Sequence, residues 1–130
     1  MSEHPNVDLL RRGYDAYAEG DLDTLDKLFH DDLVWHVAGR SPISGDYRGK
    51  EEVIGYFGKL AELSDGTAKI EVHDFLADDE HGVAIVRELA TRNGSDHRGM
   101  ATHVFHLSDG QVTEMWDAQV DQQSKDEFWS

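Results

Sequence analysis

The hydrophobic period changes part-way along this 130-residue chain, and the change limits its fold class more than any other feature. Before Gly66, apolar residues recur every three or four positions, as on one face of a helix. After it come four segments of strand length, at 69–77, 82–92, 97–107 and 111–120. Short turns that contain a glycine separate them, so neighbouring strands must run antiparallel. The chain is therefore predicted to be an α+β domain, with helices first and a meandering sheet second.

Three helices are predicted in the first half of the chain. The first ends at Gly20, which suits the left-handed conformation that follows a helix, and Asp21 can cap the second. The third begins at Gly49, after a short strand over 33–37 and a loop over 38–48. Helices that cover one face of a curved four- or five-stranded sheet leave a cone open at one end, which is a natural pocket for a small molecule.

Composition and charge exclude several classes of function. With 38% hydrophobic and 30% charged residues, the chain is predicted to be globular, with residues 1–130 forming a single domain. The absence of cysteine excludes disulfides and thiolate chemistry. A net charge of −15 opposes binding to nucleic acid and to anionic membranes, and we expect neither as a partner. No apolar run reaches the length of a membrane span and no export signal is evident, so we expect a cytoplasmic protein.

The eight histidines raise the question of a metal site. His103 and His106 are three positions apart on a predicted strand, so their side chains point to opposite faces. No histidine or carboxylate spacing typical of a metal site occurs elsewhere in the chain. We therefore expect neither a metal nor another cofactor.

Two stretches of sequence carry a family resemblance. The first reads Leu-Phe-His-Asp-Asp-Leu-Val-Trp-His-Val-Ala-Gly at 28–39, followed by Gly-Asp-Tyr-Arg-Gly at 45–49, and the second reads Asp-Gly-Gln-Val-Thr-Glu-Met-Trp-Asp at 109–117. Their order resembles the SnoaL-like and ketosteroid-isomerase-like branch of the nuclear-transport-factor-2-like superfamily. The resemblance implies a cone-shaped fold, in which three N-terminal helices pack on a strongly curved, mainly antiparallel sheet. It leaves the chemistry open, because this superfold carries isomerases, cyclases, epoxide hydrolases and binding modules.

The resemblance also implies positions for a site. The general-base aspartate of ketosteroid isomerases matches His36, and their oxyanion-hole aspartate matches His103. Their oxyanion-hole tyrosine matches Gly13, one residue before Tyr14. Because all three residues differ here, the resemblance does not extend to steroid isomerisation itself.

The polyketide cyclases of this branch place an acid/base aspartate near the last strand, and Asp117 and Asp121 are the two candidates here. The register of the last hairpin bears on this choice. A two-residue turn would put His103 opposite Trp116, whereas a three-residue turn would put it opposite Met115. In the second register Asp117 shares the face of His103. The resemblance favours the second register, but both stay open at this point.

The predicted site lies on the face of His103. A two-residue turn at Asn93-Gly94 puts Glu88 on that face as well. We expect three catalytic residues, with His36 moving a proton, His103 donating to a developing oxyanion, and Asp117 orienting or relaying. The expected binding residues are Tyr14, Tyr56, Phe57, Val86, Glu88, Phe105, Met115, Gln119 and Asp121.

The leading hypothesis is a small, cofactor-independent acid/base enzyme of the isomerase, cyclase or lyase type, whose substrate is a hydrophobic carbonyl or polycyclic molecule. One alternative is a non-catalytic module that uses the same fold to bind a small ligand or to dimerise. Another is an epoxide-hydrolase-like enzyme that adds water, for which Arg87, Arg98 and Asp117 are available. We also expect a homodimer, because six apolar residues would line the convex face of the sheet: Val83, Ile85, Leu89, Met100, Val104 and Trp116.

Overall fold

A computed structural model describes residues 4–130, and over that range it contains four helices and one six-stranded sheet. In chain order the elements are α1 (Pro5–Glu19), α2 (Leu22–Leu28), β1 (Phe29–Val37), β2 (Gly45–Arg48), α3 (Gly49–Leu63), β3 (Lys69–Ala77), β4 (His81–Arg92), β5 (Ser95–Ser108), β6 (Gln111–Gln119) and α4 (Gln122–Trp129). The predicted α+β fold of helices on a curved, mainly antiparallel sheet is confirmed. None of the helices in the described range is both long and apolar enough to cross a membrane.

Local chemistry sets the ends of the first helices, as predicted. Gly20 ends α1 with a φ of 69°, a left-handed conformation that a glycine adopts without steric cost. Asp21 caps α2 by accepting a hydrogen bond from the backbone N–H of Thr24 at 3.1 Å. The predicted loop over 38–48, in contrast, is partly wrong. Its last four residues form β2, which lacks a strand-like pattern of its own and is held by antiparallel pairing with β1.

The two central hairpins have tight turns. Asn93 and Gly94 have φ values of 53° and 80°, and Asp109 and Gly110 have 50° and 76°, which suit two-residue turns between twisted strands. The first turn puts β4 and β5 in the predicted register, with Ala84 opposite His103.

The register of the second hairpin differs from both predicted alternatives. The turn has two residues, but the pairing shifts by one residue between His106 and Leu107 because β6 contains a β-bulge. Beyond the bulge, Asp117 lies directly opposite His103, rather than Met115 or Trp116. Asp117 and Gln119 therefore do share the face of His103, for a reason that the turn alone did not indicate.

The strand order is β2-β1-β6-β5-β4-β3, so the first strand lies beside the last. β1 runs parallel to β6, with Val37 opposite Asp117, while all other neighbours are antiparallel. Leu33, Trp35 and Val37 of β1 point into the core with the helices. Val34 and His36 therefore point to the other, convex face of the sheet.

Candidate functional site

The concave face of the sheet and the helices enclose a mainly apolar cavity. Its wall includes six large side chains from α1, α3 and the central strands: Tyr14, Tyr17, Trp35, Tyr56, Phe57 and Phe105. The aromatic rings contact one another edge-on or tilted, as Trp35 does with Phe57 at a centroid distance of 5.5 Å. The wall can therefore pack against a small hydrophobic molecule.

A buried polar cluster closes one side of the cavity. Tyr14 Oη lies 2.5 Å from His103 Nδ1, and Glu88 Oε2 lies 2.8 Å from the other ring nitrogen, Nε2. Gln119 Nε2 donates to Glu88 Oε1 at 2.9 Å and to Asp117 Oδ1 at 2.6 Å. Lys125 Nζ contacts both carboxylates, with a hydrogen bond to Asp117 Oδ2 and a distance of 3.2 Å to Glu88 Oε1. We call these residues the concave cluster.

Lys125 is the member of the concave cluster that the sequence analysis missed. It lies on α4, which was not predicted, and only 3% of its surface is exposed. Asp121 caps α4 by accepting from the backbone N–H of Ser124 at 3.1 Å, and Trp129 anchors the other end in the core. An aspartate three residues before a serine, followed by aromatic residues, is the signal that could have indicated this helix.

Charge compensation governs the ionisation of the concave cluster. Burial alone would raise the pKa of Glu88, but the hydrogen bond from His103 and the charge of Lys125 outweigh it and lower that pKa. Burial likewise opposes the charge of Lys125, yet the two carboxylates raise its pKa. Burial raises the pKa of Tyr14 well above its ordinary value, with Glu88 and Asp117 adding to the effect. At neutral pH the cluster therefore holds a carboxylate, an ammonium group and a neutral phenol.

Most of the predicted pocket residues do line the cavity: Tyr14, Tyr56, Phe57, Glu88, His103, Phe105, Met115 and Asp117. Val86 is fully buried in the core and is not part of the cavity wall, and Gln119 lies behind Glu88 and Asp117. Asp121 is exposed and caps α4, so of the two candidate aspartates Asp117 is the one in the cavity.

The prediction that His36 and His103 share a cavity is wrong. His36 lies on the convex face, where Asp46 Oδ1 and Glu114 Oε2 are 2.7 and 2.6 Å from its two ring nitrogens. Its ring stacks on Trp116 with a centroid distance of 5.2 Å. The sequence predicted which residues of β1 share a face but not which face points inward. Leu33, Trp35 and Val37 form the more apolar set, and they are the ones buried in the core. We call His36, Asp46, Glu114 and Trp116 the convex cluster.

The family profile of the SnoaL-like domain matches residues 10–115, which is most of the chain. The chain belongs to the SnoaL-like family. The protein Rv0034 of Mycobacterium tuberculosis, which is uncharacterised, is 28% identical over the full length of both chains.

Two solved structures are similar to this SnoaL-like protein in both sequence and fold. Bal32a, from a soil-derived mobile gene cassette, is 35% identical over 96% of both chains, with a TM-score of 0.93. A protein of unknown function with a cystatin-like fold from Xanthomonas campestris is 27% identical, with a TM-score of 0.88, and the match covers 95% of this chain and 97% of that one.

More distant structures share the fold alone. One, from Jannaschia sp. CCS1, is named after the SnoaL-like polyketide cyclases and is 18% identical, with a TM-score of 0.76 over 92% of this chain and 91% of that one. Another, an LEH-like epoxide hydrolase of M. tuberculosis, is 19% identical, with a TM-score of 0.69 over 87% of this chain and 80% of that one.

The arginines considered for water addition do not reach the cavity. Arg87 and Arg98 are both exposed, and no arginine among residues 4–130 lines the cavity wall. Asp117 lies in the wall, but its charge partner there is Lys125. The SnoaL-like protein therefore does not assemble an aspartate–arginine–aspartate set around its cavity within the described range.

Three residues of the concave cluster could in principle hold a metal ion. One ligand atom from each of Glu88, His103 and Asp117 lies within 4.8 Å of the others, and no other such group was found among residues 4–130. The ammonium group of Lys125 contacts both carboxylates and supplies positive charge at this position. A divalent cation would have to displace or closely approach that ammonium, so these residues do not fit a resident metal.

Proposed function

We propose that this SnoaL-like protein is a cofactor-independent acid/base enzyme that moves a proton on a small hydrophobic carbonyl compound. The observation that carries the proposal is the series of hydrogen bonds from Tyr14 through His103 to Glu88, at the polar side of an otherwise apolar cavity. The aromatic wall would bind a hydrophobic ring system, and Tyr14 would meet its polar or acidic group.

Hydrogen-bond chemistry assigns the protons in this series. A carboxylate only accepts, so Glu88 accepts from the Nε2–H of His103, which leaves Nδ1 as an acceptor in the neutral imidazole. Nδ1 then accepts the O–H of Tyr14, which remains a phenol because its pKa is raised. In this arrangement the phenol oxygen of Tyr14 keeps its lone pairs, and these can face the cavity.

The proposed step is a coupled proton transfer. A proton on the carbon beside the substrate carbonyl passes to Tyr14 Oη while the phenolic proton passes to His103 Nδ1. The carbon–hydrogen bond electrons form an enolate, and His103 becomes an imidazolium that the Glu88 carboxylate stabilises. Reversal of the transfer returns the proton to the same carbon or to another one. Whether the substrate is returned unchanged, isomerised or closed into a ring would then depend on its structure.

Asp117 has a positioning role in this proposal, whereas it was first expected to orient or relay. Its two oxygens engage Gln119 and Lys125, and the nearer one is 3.7 Å from His103 Nε2. Lys125 balances the charge of both buried carboxylates, and together with the hydrogen bond from His103 it keeps Glu88 ionised. The likeness in fold to a structure named after polyketide cyclases is consistent with carbonyl chemistry but does not identify the substrate.

Proton exchange on 1-tetralone, a hydrophobic bicyclic ketone, tests the proposal. We expect the protein to accelerate loss of the α-proton NMR signals of this ketone in D₂O. Tyr14→Phe should remove most of the acceleration, because a phenyl ring can neither accept nor pass on a proton. Tyr47→Phe is the matched control, since Tyr47 donates to the backbone carbonyl of Ile43 and does not line the cavity.

Two results would contradict the acid/base proposal. One is a Tyr14→Phe variant that exchanges as fast as the wild type. The other is saturable binding of 1-tetralone without any acceleration of exchange, which would favour the non-catalytic binding module instead.

We also propose that the protein forms a homodimer through the convex sheet face. Apolar residues of that face are only partly buried in the single chain, and Met100 is 43% exposed. An uncovered apolar face of this kind typically marks an interaction site, and a second copy would cover both faces symmetrically. Sedimentation velocity should give a dimer that Val104→Glu converts to a monomer. Leu22→Glu, at an exposed apolar residue of α2, should leave the dimer intact.

A further inference from the structure

The four tyrosines of the chain differ in what their hydroxyl groups contact. Those of Tyr14 and Tyr47 are hydrogen-bonded to other groups of the chain. Those of Tyr17 and Tyr56 have no hydrogen-bond partner among the described residues, and both residues line the cavity. Because a phenol in apolar surroundings usually has a partner, these two hydroxyl groups are available to a ligand.

The two unpaired hydroxyl groups are open and not sealed in the core. Within residues 4–130, the buried side-chain atoms that lack a partner and are closed to solvent lie on His97 and Gln119. The oxygens of Tyr17 and Tyr56 are not among them, although Tyr56 is only 7% exposed and packs in the hydrophobic core. The cavity that both residues line is therefore the space that the two hydroxyl groups can reach.

The charge of Glu88 indicates where the two hydroxyl groups lie along the cavity. Burial raises the pKa of Tyr17 to about 12, and Glu88 adds to the effect. Burial also raises the pKa of Tyr56 well above its ordinary value, with Glu88, Asp117 and Tyr17 adding to it. Since such interactions weaken with distance, both phenols lie toward the concave cluster, as Tyr14 does. Both stay protonated near neutral pH and can donate a hydrogen bond.

The proposed proton transfer creates a charge that the concave cluster does not meet. Loss of the α-proton puts negative charge on the carbonyl oxygen of the enolate, and positioned hydrogen-bond donors are the usual means of stabilising it. Both ring nitrogens of His103 are already engaged, by Tyr14 and Glu88, so neither is free to donate to that oxygen. The donors must therefore come from another part of the cavity wall.

We infer that Tyr17 and Tyr56 donate the hydrogen bonds that hold the carbonyl oxygen of the substrate and of the enolate formed from it. Tyr14 and Tyr17 are three positions apart on α1 and so lie on one face of that helix, while Tyr56 approaches from α3. One small ketone can then place its α-carbon at Tyr14 and its oxygen at the other two phenols. Tyr17 and Tyr56 keep their protons, and the electron pair returns to carbon when Tyr14 gives its proton back. The inference rests on the proposed function in taking a carbonyl compound as the substrate.

The carbonyl stretching frequency of bound 1-tetralone tests the two donors without requiring turnover. Infrared difference spectra of the complexes with unlabelled and 1-¹³C-labelled ketone separate this band from the amide bands of the protein. Hydrogen bonds to a carbonyl oxygen lower the frequency, so we expect a lower value in the wild type than in cyclohexane. Tyr17→Phe and Tyr56→Phe should each lose part of this shift, and the double variant should lose all of it.

Two further tyrosine variants serve as comparisons. Tyr14→Phe should keep the frequency shift while it loses α-proton exchange, because Tyr14 donates to His103 and meets the α-carbon. Tyr47→Phe is the matched control, since the ring of Tyr47 contacts that of Tyr56 at a centroid distance of 4.7 Å, but its hydroxyl group donates to a backbone carbonyl. This variant should keep both the shift and the exchange. Thermal unfolding of each variant checks that it is folded.

Exchange rates and affinities separate a role in the reaction from a role in binding alone. Tyr56→Phe should slow α-proton exchange by ~10²- to 10³-fold, the usual effect of removing one oxyanion donor. It should weaken the binding of 1-tetralone, measured by isothermal titration calorimetry, by less than about tenfold, since one hydrogen bond to a neutral carbonyl is weak. Equal losses in rate and affinity would contradict stabilisation of the enolate.

The outcomes also separate this inference from the proposed function. If bound 1-tetralone has the same carbonyl frequency in the wild type and in the double variant, the two donors are overturned even where α-proton exchange occurs. If the shift is present in the wild type and absent from the double variant, the donors are supported even when the protein accelerates no exchange, in which case only the acid/base function fails.

Discussion

Each face of the sheet holds a histidine with a carboxylate at hydrogen-bond distance. These two histidine–carboxylate pairs differ chiefly in burial. In the concave cluster, the side chain of His103 is 6% exposed and that of Glu88 16%. In the convex cluster, the side chain of His36 is 25% exposed, and those of Asp46 and Glu114 are 54% and 31% exposed. The distances are similar, at 2.8 Å for His103–Glu88 and 2.6 Å for His36–Glu114.

The comparison shows that proximity of a histidine and a carboxylate does not identify an acid/base site. The concave pair is joined to a phenol at the ligand cavity and balanced by a buried lysine, whereas the convex pair meets water. In low dielectric surroundings an unbalanced charge is costly, so every group of the concave cluster depends on the others. Exposed ion pairs are weak and nearly independent. The following predictions test this difference.

The largest expected effect is on proton exchange. His103→Ala should slow the exchange of 1-tetralone α-protons by a factor of ~10² to 10⁴, the usual contribution of a positioned acid/base group. His36→Ala should leave the rate unchanged, because His36 lies on the other face of the sheet. Exchange rates by NMR measure both. A loss of rate in His36→Ala equal to that in His103→Ala would remove the distinction between the clusters.

The next effect is on stability. Lys125→Met leaves Glu88 and Asp117 buried without their compensating charge, and should lower the free energy of unfolding by about 3–5 kcal/mol. Lys50→Met also removes a lysine that contacts two carboxylates, Asp26 and Asp31, but these are largely exposed, so the loss should be far smaller. Urea unfolding followed by tryptophan fluorescence measures both. Equal losses would mean that burial does not control the strength of the concave cluster.

A smaller effect concerns pH. Burial opposes the charge of His36, but hydrogen bonds to Glu114 and Asp46 outweigh it and raise the pKa of His36 above 6.5. A raised pKa in the folded state stabilises the protein below the unfolded pKa, and this contribution is lost as pH rises through the folded value. His36→Gln should therefore be less stable than the wild type at about pH 5.5, by less than about 1 kcal/mol, and equal to it at about pH 8.5. A stability difference between wild type and His36→Gln that grows as the pH rises would contradict a raised pKa of His36.

The smallest effect is that of salt. Raising NaCl from 0.1 to 1 M shortens the Debye length from about 10 Å to about 3 Å, which weakens interactions between exposed charges and affects buried ones much less. The stability difference between wild type and His36→Gln at about pH 5.5 should therefore shrink in 1 M NaCl. The loss caused by Lys125→Met should persist. If 1 M NaCl reduces the stability losses of His36→Gln and Lys125→Met equally, water reaches the concave cluster.

Several features of the fold were predictable from local sequence. The ends of the first two helices follow from Gly20 and Asp21, and the β4–β5 register follows from Asn93 and Gly94, because one or two residues determine such conformations. Strand alternation then put Glu88 on the face of His103. These features depend on neighbours in the chain, so an isolated segment contains the information.

The inward face of β1 was not predictable in this way. Alternation divides β1 into two sets of residues, but it does not say which set meets the core. Trp35 and Val37 pack inside because the helices cover that face, and His36 is left outside. The decision depends on the covering helices, which come from elsewhere in the chain.

The sequence by itself determined the α+β class, the tight turns and the residues that share each strand face, since these depend on conformational preferences over a few positions. Only the tertiary structure decided which residues come together in the concave cluster. A β-bulge in β6 brings Asp117 opposite His103, and the last helix carries Lys125 to both buried carboxylates. Buried charges are tolerated only where distant segments balance one another, and that balance exists only once the chain has folded.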